Sequence, residues 1–159
     1  MITLFIIATI IILAYPIYFK LRYDVPSISE SYYILEVIKK GLGLIFTGWC
    51  VAPAFLLFPI WVEIMPEQWQ FIAFLNVIAL GAVGCAPRFK SFQEVQHYVF
   101  AVIAVLLSIG SAIILNLWVI PLFLVIPTLI LSIKKIDKIF WVEMAALVSI
   151  LLLISLNLL

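Results

Sequence analysis

The sequence predicts an all-α membrane protein, a polytopic bundle of six transmembrane helices with a short interfacial helix after the first span. Of its 159 residues, 67% are hydrophobic and 11% are charged, and the mean hydropathy is +1.34, whereas a soluble domain carries about 25% charged residues. Long apolar runs without the alternation of barrel strands recur along the chain, and only helices or closed barrels satisfy their backbone groups in lipid. A soluble enzyme, a disordered chain and a nucleic-acid-binding domain are therefore disfavoured.

Six apolar runs account for most of the chain, and a helix of about 20 residues crosses a hydrocarbon core of about 30 Å. Because the remaining segments are short, residues 1–159 are predicted to form a single transmembrane domain. The first run is followed, not preceded, by basic residues, so we expect a retained span rather than a cleaved signal peptide. The predicted spans are 2–18, 43–62, 68–86, 96–115, 117–133 and 139–158.

The nine basic residues predict an orientation, because cytoplasmic loops close to membrane spans are enriched in Lys and Arg. They all follow spans one, three and five, and the alternate connections contain none. We therefore expect both termini outside and a multi-pass location in a bacterial inner (cytoplasmic) membrane. The three basic groups are Lys20, Arg22, Lys39 and Lys40; Arg88 and Lys90; and Lys134, Lys135 and Lys138.

The fourth connection leaves two topologies open. Only Asn116 interrupts the apolar sequence from Ile113 to Val119, so residues 96–133 form either two full crossings with a very tight turn or a re-entrant hairpin. Both arrangements return the chain to the same side. The length favours two crossings, since this run corresponds to about 57 Å of helix at about 1.5 Å per residue.

The polar segment after span one predicts a short helix over about 28–40 that lies at the membrane interface. Ser27-Ile28-Ser29-Glu30 has the spacing of a capping box, in which Ser27 and Glu30 bond to each other's backbone amides. Glu36 and Lys40 have the spacing of a favourable i, i+4 ion pair. These interactions explain the residues of this segment in structural terms, without a role in function.

Small residues follow one face of several predicted spans, where they favour close helix packing. A pore lining could use the same residues, and packing is the preferred interpretation. The clearest stripe is in span four, and span three adds two glycines and Asn76, a buried amide expected to bond to a neighbouring helix or, less readily, to a substrate. These small residues are Ala101, Ala104, Ser108 and Ser111 in span four, Gly81 and Gly84 in span three, and Ala145, Ala146 and Ser149 in span six.

Glu143 is the strongest candidate for a functional residue, because an ionisable side chain within a membrane helix is costly. The structural alternative is that Glu143 reaches the interface or pairs with Lys138 or Lys135. The predicted topology places it at the cytoplasmic end of the bundle together with the single histidine, which could exchange protons with it. The candidate cluster is Glu143, His97, Ser29, Glu30 and Arg88.

No metal or cofactor is expected. Cys50 and Cys85 form no CxxC motif and accompany no histidine cluster. They are therefore expected to be small, buried apolar side chains rather than parts of a disulfide or a metal site.

Four segments carry a resemblance to a known family: SISESYY after span one, GCAPRFK at the end of span three, HYVFA opening span four and WVEMAA in span six. With these the chain resembles an uncharacterised family of small membrane proteins from gut Bacteroidetes and their phages, which implies a membrane location but no activity. More distantly, it is similar to the superfamily of alkaline ceramidases and adipoQ-type receptors. Those enzymes hold zinc with three histidines, and this chain has one, so no zinc site is carried over.

The sequence leads to two hypotheses of function. The first is a non-enzymatic membrane protein that binds or transports a small solute, a proton or a lipid through Glu143 and His97, either alone in the bilayer or as a homo-oligomer. A related alternative is that the protein acts by binding a membrane partner. The second is a cytoplasmic-face enzyme that acts on a lipid, with Ser29, Glu30, His97 and Glu143 around an interfacial pocket, because a catalytic His and a carboxylate need contact within about 3 Å.

Overall fold

The computed structural model describes residues 1–85, 93–122 and 138–158, and these residues form helices and turns without any strand. The all-α fold class is thereby confirmed. In chain order the helices are α1 (Ile2–Tyr23), α2 (Glu30–Ile38), α3 (Leu44–Ile64), a 3₁₀ turn at Glu67–Trp69, α4 (Phe71–Cys85), α5 (Gln93–Ile114) and α6 (Lys138–Leu158).

Four of these helical segments are long and apolar enough to cross a membrane: Ile2–Tyr23, Leu44–Ile64, Glu67–Cys85 and Ile139–Leu158. Helix α5 adds a shorter apolar stretch, Val99–Ile114. They indicate a membrane protein, as the sequence predicts. The predicted fifth span, 117–133, lies outside the described residues beyond residue 122.

Buried apolar side chains form two clusters at opposite ends of the bundle. The cluster at the end that carries α2, here called the α2 end, consists of Phe19, Val25, Ile28, Leu35, Phe46, Cys50 and Phe140. The far-end cluster consists of Ala8, Ile12, Leu57, Ile60, Trp61, Met65, Ile72, Ala73, Ala112, Leu151, Leu153 and Ile154.

The membership of these clusters gives the direction of each helix. Helix α1 runs from the far end to the α2 end, and α3 returns, packing against both α1 and α4. The Thr47 hydroxyl near the start of α3 donates to the carbonyl of Gly84 at the end of α4, with 2.7 Å between the oxygens. Helix α4 therefore ends at the α2 end, whereas α6 begins there with Phe140 and reaches the far end at Ile154.

Helix α1 extends beyond the predicted boundary at residue 18 and ends at Tyr23. Asp24 then adopts a left-handed conformation with φ 49°, and its amide donates to the carbonyl of Lys20 at 3.0 Å. The carboxylate of Asp24 also pairs with the Lys20 ammonium at 2.7 Å. The basic last turn thus stays helical because it supplies both the closing backbone bond and an ion pair.

The predicted short helix is present as α2, but the capping box is wrong. Ser29 is the N-cap residue and makes no side-chain cap bond, and its hydroxyl instead contacts that of Ser27 at 3.1 Å. The amides of Ser31 and Tyr32 already donate to the carbonyls of Ile28 and Ser29. A backbone turn therefore satisfies the amides that a capping side chain would otherwise meet.

A tight turn follows α5 at the place where the sequence has only Asn116. This residue has φ 57°, a conformation that Asn tolerates better than most residues. The amide of Leu117 donates to the carbonyl of Ala112 at 2.7 Å, which closes the helix end. The chain is helical again at 119–122.

Candidate functional site

Glu143 lies in the second turn of α6 and is partly buried. Its Oε2 atom accepts a hydrogen bond from the backbone amide of Ile28 at 2.7 Å. Within the described part of the chain, no cation forms an ion pair with it. The predicted pairing with Lys135 or Lys138 involves side chains outside the described residues. What the structure shows for Glu143 is a polar contact with a loop 115 residues away in sequence.

That loop, residues 24–29 and here called the connecting loop, is fixed against the start of α6. Its Val25 and Ile28 side chains are buried. The amide of Phe140 donates to the carbonyl of Pro26 at 3.0 Å. Since the first amides of a helix have no partner within it, the loop carbonyl caps α6 and thereby brings Ile28 to Glu143.

A second set of hydrogen bonds holds the other side of the connecting loop. The Ser31 hydroxyl is fully buried; it donates to the carbonyl of Ile28 at 2.6 Å and also contacts the Tyr15 hydroxyl at 2.8 Å. Ile28 is therefore held through its carbonyl by α2 and through its amide by α6. Tyr15 and Ser31 had no sequence signal of this role, because nothing in their spacing predicts contact between α1 and α2.

A partly open cavity of about 180 Å³ lies between the helices and includes Glu143 in its lining. Its described walls are largely apolar. Ile28, Phe46 and Trp49 line it toward the α2 end. Trp61 and Leu153, which belong to the far-end cluster, line it toward the far end. Several small side chains of α5 and α6 also line it. These are Ala101, Ala104, Ser108, Ala112, Ala146 and Ser149.

The predicted packing seam of α5 therefore lines a cavity over most of its length, since Ala101, Ala104 and Ser108 face the space. Ser111 is the exception and is fully buried. Small side chains permit two helices to approach closely. Where the neighbouring helix does not pack against them, they leave a cavity.

Among the described residues few polar groups line this cavity, and most of these groups are satisfied. The hydroxyls of Ser108 and Ser149 donate to carbonyls one turn earlier in their own helices, at 2.8 and 2.7 Å. Asn76 is different: the side chain is 5% exposed, and its Nδ2 atom has no partner among the described residues. A buried unpaired amide costs free energy, so Asn76 is unfavourable for stability as far as the described part of the chain shows.

The five residues of the predicted cluster have different positions. Glu143 lines the cavity, Ser29 is half-buried and contacts Ser27, and the Glu30 side chain is exposed at the first residue of α2. His97 belongs to α5, but its side chain lies outside the described part, as does Arg88 altogether.

Fold and site together describe a helical membrane-type protein with a mostly apolar cavity, whose described wall includes Asn76 and Glu143. No protein-family model matches the chain, and no similar curated protein or solved structure was found.

Proposed function

We propose that the protein binds a small, mostly apolar molecule inside its helical bundle, as a step of solute or lipid binding or transport in the membrane. The cavity lined by Asn76 and Glu143 carries this proposal. Ligand pockets are mostly apolar with a few polar groups that orient the ligand, and Asn76 and Glu143 are two polar residues of this lining.

The size of the cavity limits the ligand. An engineered cavity of about 150 Å³ lined by apolar side chains takes up benzene, and the cavity here has about 180 Å³. A single aromatic ring with a short substituent, or a branched aliphatic group of similar volume, fits that space. A complete phospholipid exceeds it, so a lipid would enter with one part only.

The proposal includes six crossings, with both termini outside and the α2 end in the cytoplasm. The basic residues in and beside the first connection lie at the α2 end, which supports this orientation. Glu63 near the end of α3 and Glu67 in the following 3₁₀ turn lie at the far end. This matches the enrichment of Lys and Arg in cytoplasmic loops. The basic residues at the α2 end are Lys20, Arg22, Lys39 and Lys40.

A cytoplasmic-face lipid enzyme has less support. Among the described residues the Ser29 hydroxyl contacts only Ser27, and Glu143 bonds to a backbone amide. Neither contact activates a nucleophile, which requires an adjacent base. The homo-oligomer, the membrane partner and the resemblance to the Bacteroidetes and phage family stay predictions.

Cavity filling tests the proposed function. Benzyl alcohol is the probe, and the purified protein in lipid nanodiscs is the sample. Replacing the exposed Trp69, Trp118 and Trp141 by Phe leaves the cavity-lining Trp49 and Trp61 as the fluorophores. We expect saturable quenching or a spectral shift in this background, beyond that of empty nanodiscs.

Ala104→Phe should abolish the fluorescence change, because Ala104 lines the cavity. Val102→Phe is the matched control on the same helix, since Val102 is 56% exposed, and it should leave the response intact. An equal response in both variants, or none in the parent protein, would reject the proposed function.

A further inference from the structure

The charge of the ligand can be inferred from the hydrogen bonds that the polar groups of the cavity already make within the protein. A carboxylate offers about four lone-pair positions, and the Ile28 amide occupies one on Glu143. No other described residue donates to this carboxylate or pairs with it. Glu143 thus presents unused acceptor capacity at the edge of an apolar space.

We infer that the cavity selects a small lipophilic amine, with the ammonium group of the ligand on Glu143 and its aromatic or branched hydrocarbon part among the apolar walls. The inference rests on the proposed function. An ammonium supplies both the missing charge and several N–H donors, whereas a neutral alcohol supplies one donor without charge.

The aromatic side chains near Glu143 favour the same ligand class. Phe46 and Trp49 line the cavity, as Glu143 does, and their ring centroids are 5.9 Å apart. The indole N–H of Trp49 is already bonded to the carbonyl of Ile11 at 2.9 Å. What Trp49 offers to a ligand is therefore its ring surface, and aromatic faces attract cations.

A carboxylic acid is disfavoured as ligand by the same geometry. Placed against Glu143 it would bring two acceptor groups together, and a like charge in a weakly polar site is repelled. Asn76 Nδ2 is the unpaired donor among the described cavity groups, and a single neutral donor does not offset such a charge. The expected order of affinity is therefore amine, then alcohol, then acid.

Three probes of nearly equal size separate these chemistries: benzylamine, benzyl alcohol and benzoate. Binding is followed at pH 7 by the fluorescence of Trp49 and Trp61 in the Phe-substituted background, with empty nanodiscs as the blank. We expect benzylamine to bind at least about tenfold more tightly than benzyl alcohol, a ratio that one charge-assisted hydrogen bond supplies, and benzoate to bind least.

Glu143→Gln should remove the preference for benzylamine and leave benzyl alcohol binding within about threefold, because the amide retains an acceptor for Ile28 but no charge. Glu63→Gln is the control, since Glu63 is exposed near the end of α3, and it should keep the preference. The comparison of the three probes requires no substitution at Glu143.

Equal affinity for benzylamine and benzyl alcohol in the parent protein, blocked for both by Ala104→Phe, would overturn the amine inference and leave the cavity function standing. Loss of response to all three probes would instead reject the proposed function. A preference for benzylamine that survives Glu143→Gln would also overturn the assignment.

Discussion

At the scale of one residue, the buried side chain of Asn76 lowers the stability of the folded protein. Its amide is buried in α4 without a partner for Nδ2 among the described residues. Proteins retain such groups at a cost when a ligand completes the hydrogen bond. The sequence predicts a buried amide here, but bonded to a neighbouring helix, and the described residues provide no such acceptor for Nδ2.

Asn76→Leu should therefore stabilise the unliganded protein, by about 1–2 kcal/mol, because it replaces an unpaired polar group by an apolar one of similar volume. Reversible unfolding by SDS in mixed micelles measures this. Asn157→Leu is the control, since Asn157 is exposed and bonds to the carbonyl of Leu153; its expected change is within about 0.5 kcal/mol. Destabilisation by Asn76→Leu would mean that the amide has a partner in the folded protein.

Gly84 is a second residue whose role is set by its immediate contacts. A Cβ atom at this position would lie 2.7 Å from Cys50 Cβ and 3.2 Å from the carbonyl oxygen of Thr47. These atoms belong to the start of α3 and cannot move independently of that helix. The predicted packing seam of span three is thus present at Gly84, whereas a Cβ atom at Gly81 would meet nothing within 4 Å.

Gly84→Ala should lower the free energy of unfolding by about 1–3 kcal/mol through overpacking. Gly81→Ala should be neutral or stabilise by up to about 1 kcal/mol, because Ala is the better helix former. The two variants differ by the same atoms, and the SDS unfolding assay compares them directly. Equal effects would show that α3 and α4 do not approach at Gly84.

At the scale of elements, α2 is closed by Glu36 rather than by an ion pair. The Glu36 carboxylate accepts the amide of Gly41 at 3.0 Å and that of Gly43 at 2.9 Å. No ion pair between Glu36 and Lys40 is present in the described part of the chain. Gly41 has φ +93°, a conformation that Gly adopts readily, and this turn brings both amides to the carboxylate.

Glu36→Ala should therefore destabilise the turn between α2 and α3 by about 1.5–3 kcal/mol, the range for hydrogen bonds to a charged group. Lys40→Ala should change stability by less than about 0.5 kcal/mol. Hydrogen exchange at the Gly41 and Gly43 amides provides the readout, and only the Glu36 variant should accelerate it. Similar acceleration by Lys40→Ala would restore the ion pair as the dominant interaction.

At the scale of the whole molecule, the bundle has an apolar cluster at each end and a cavity lined by residues of both clusters. The α2 end combines basic residues with the connecting loop, and the far end carries Glu63 and Glu67. The turn at Asn116 follows α5 beside the far-end cluster, against which Leu115 and Leu117 pack. With two full crossings Asn116 reaches the outer surface, whereas in a re-entrant hairpin it stays in the membrane.

Single cysteines should separate these topologies. In a protein with Cys50 and Cys85 replaced by Ala, a membrane-impermeant maleimide added outside intact cells should label Asn116→Cys and Glu67→Cys but not Lys39→Cys. Lysis should make Lys39→Cys reactive. Labelling of Glu67→Cys without Asn116→Cys would support the hairpin, and labelling of Lys39→Cys in intact cells would reverse the proposed orientation.

Much of the fold was predictable because its signals are local. Apolar length predicts α1, α3, α4, α5 and α6 close to their observed bounds, and the lone polar residue Asn116 predicts a tight turn. The capping box at Ser27 and the ion pair at Glu36 are wrong, because backbone groups compete with side chains for the same bonds and residue spacing does not show which of them is closer. In the structure the backbone turn at Ile28 and the amides of Gly41 and Gly43 take their place.

By itself the sequence determined that this chain is an all-helical, membrane-type protein and that Glu143 is an unusual carboxylate, since both follow from residue types along one helix. Only the tertiary structure decided what Glu143 contacts and that the small residues of α5 line a cavity. The reason is physical: a residue's hydrogen-bond partner and the volume left beside it depend on how separate helices pack, and no spacing within one segment encodes that.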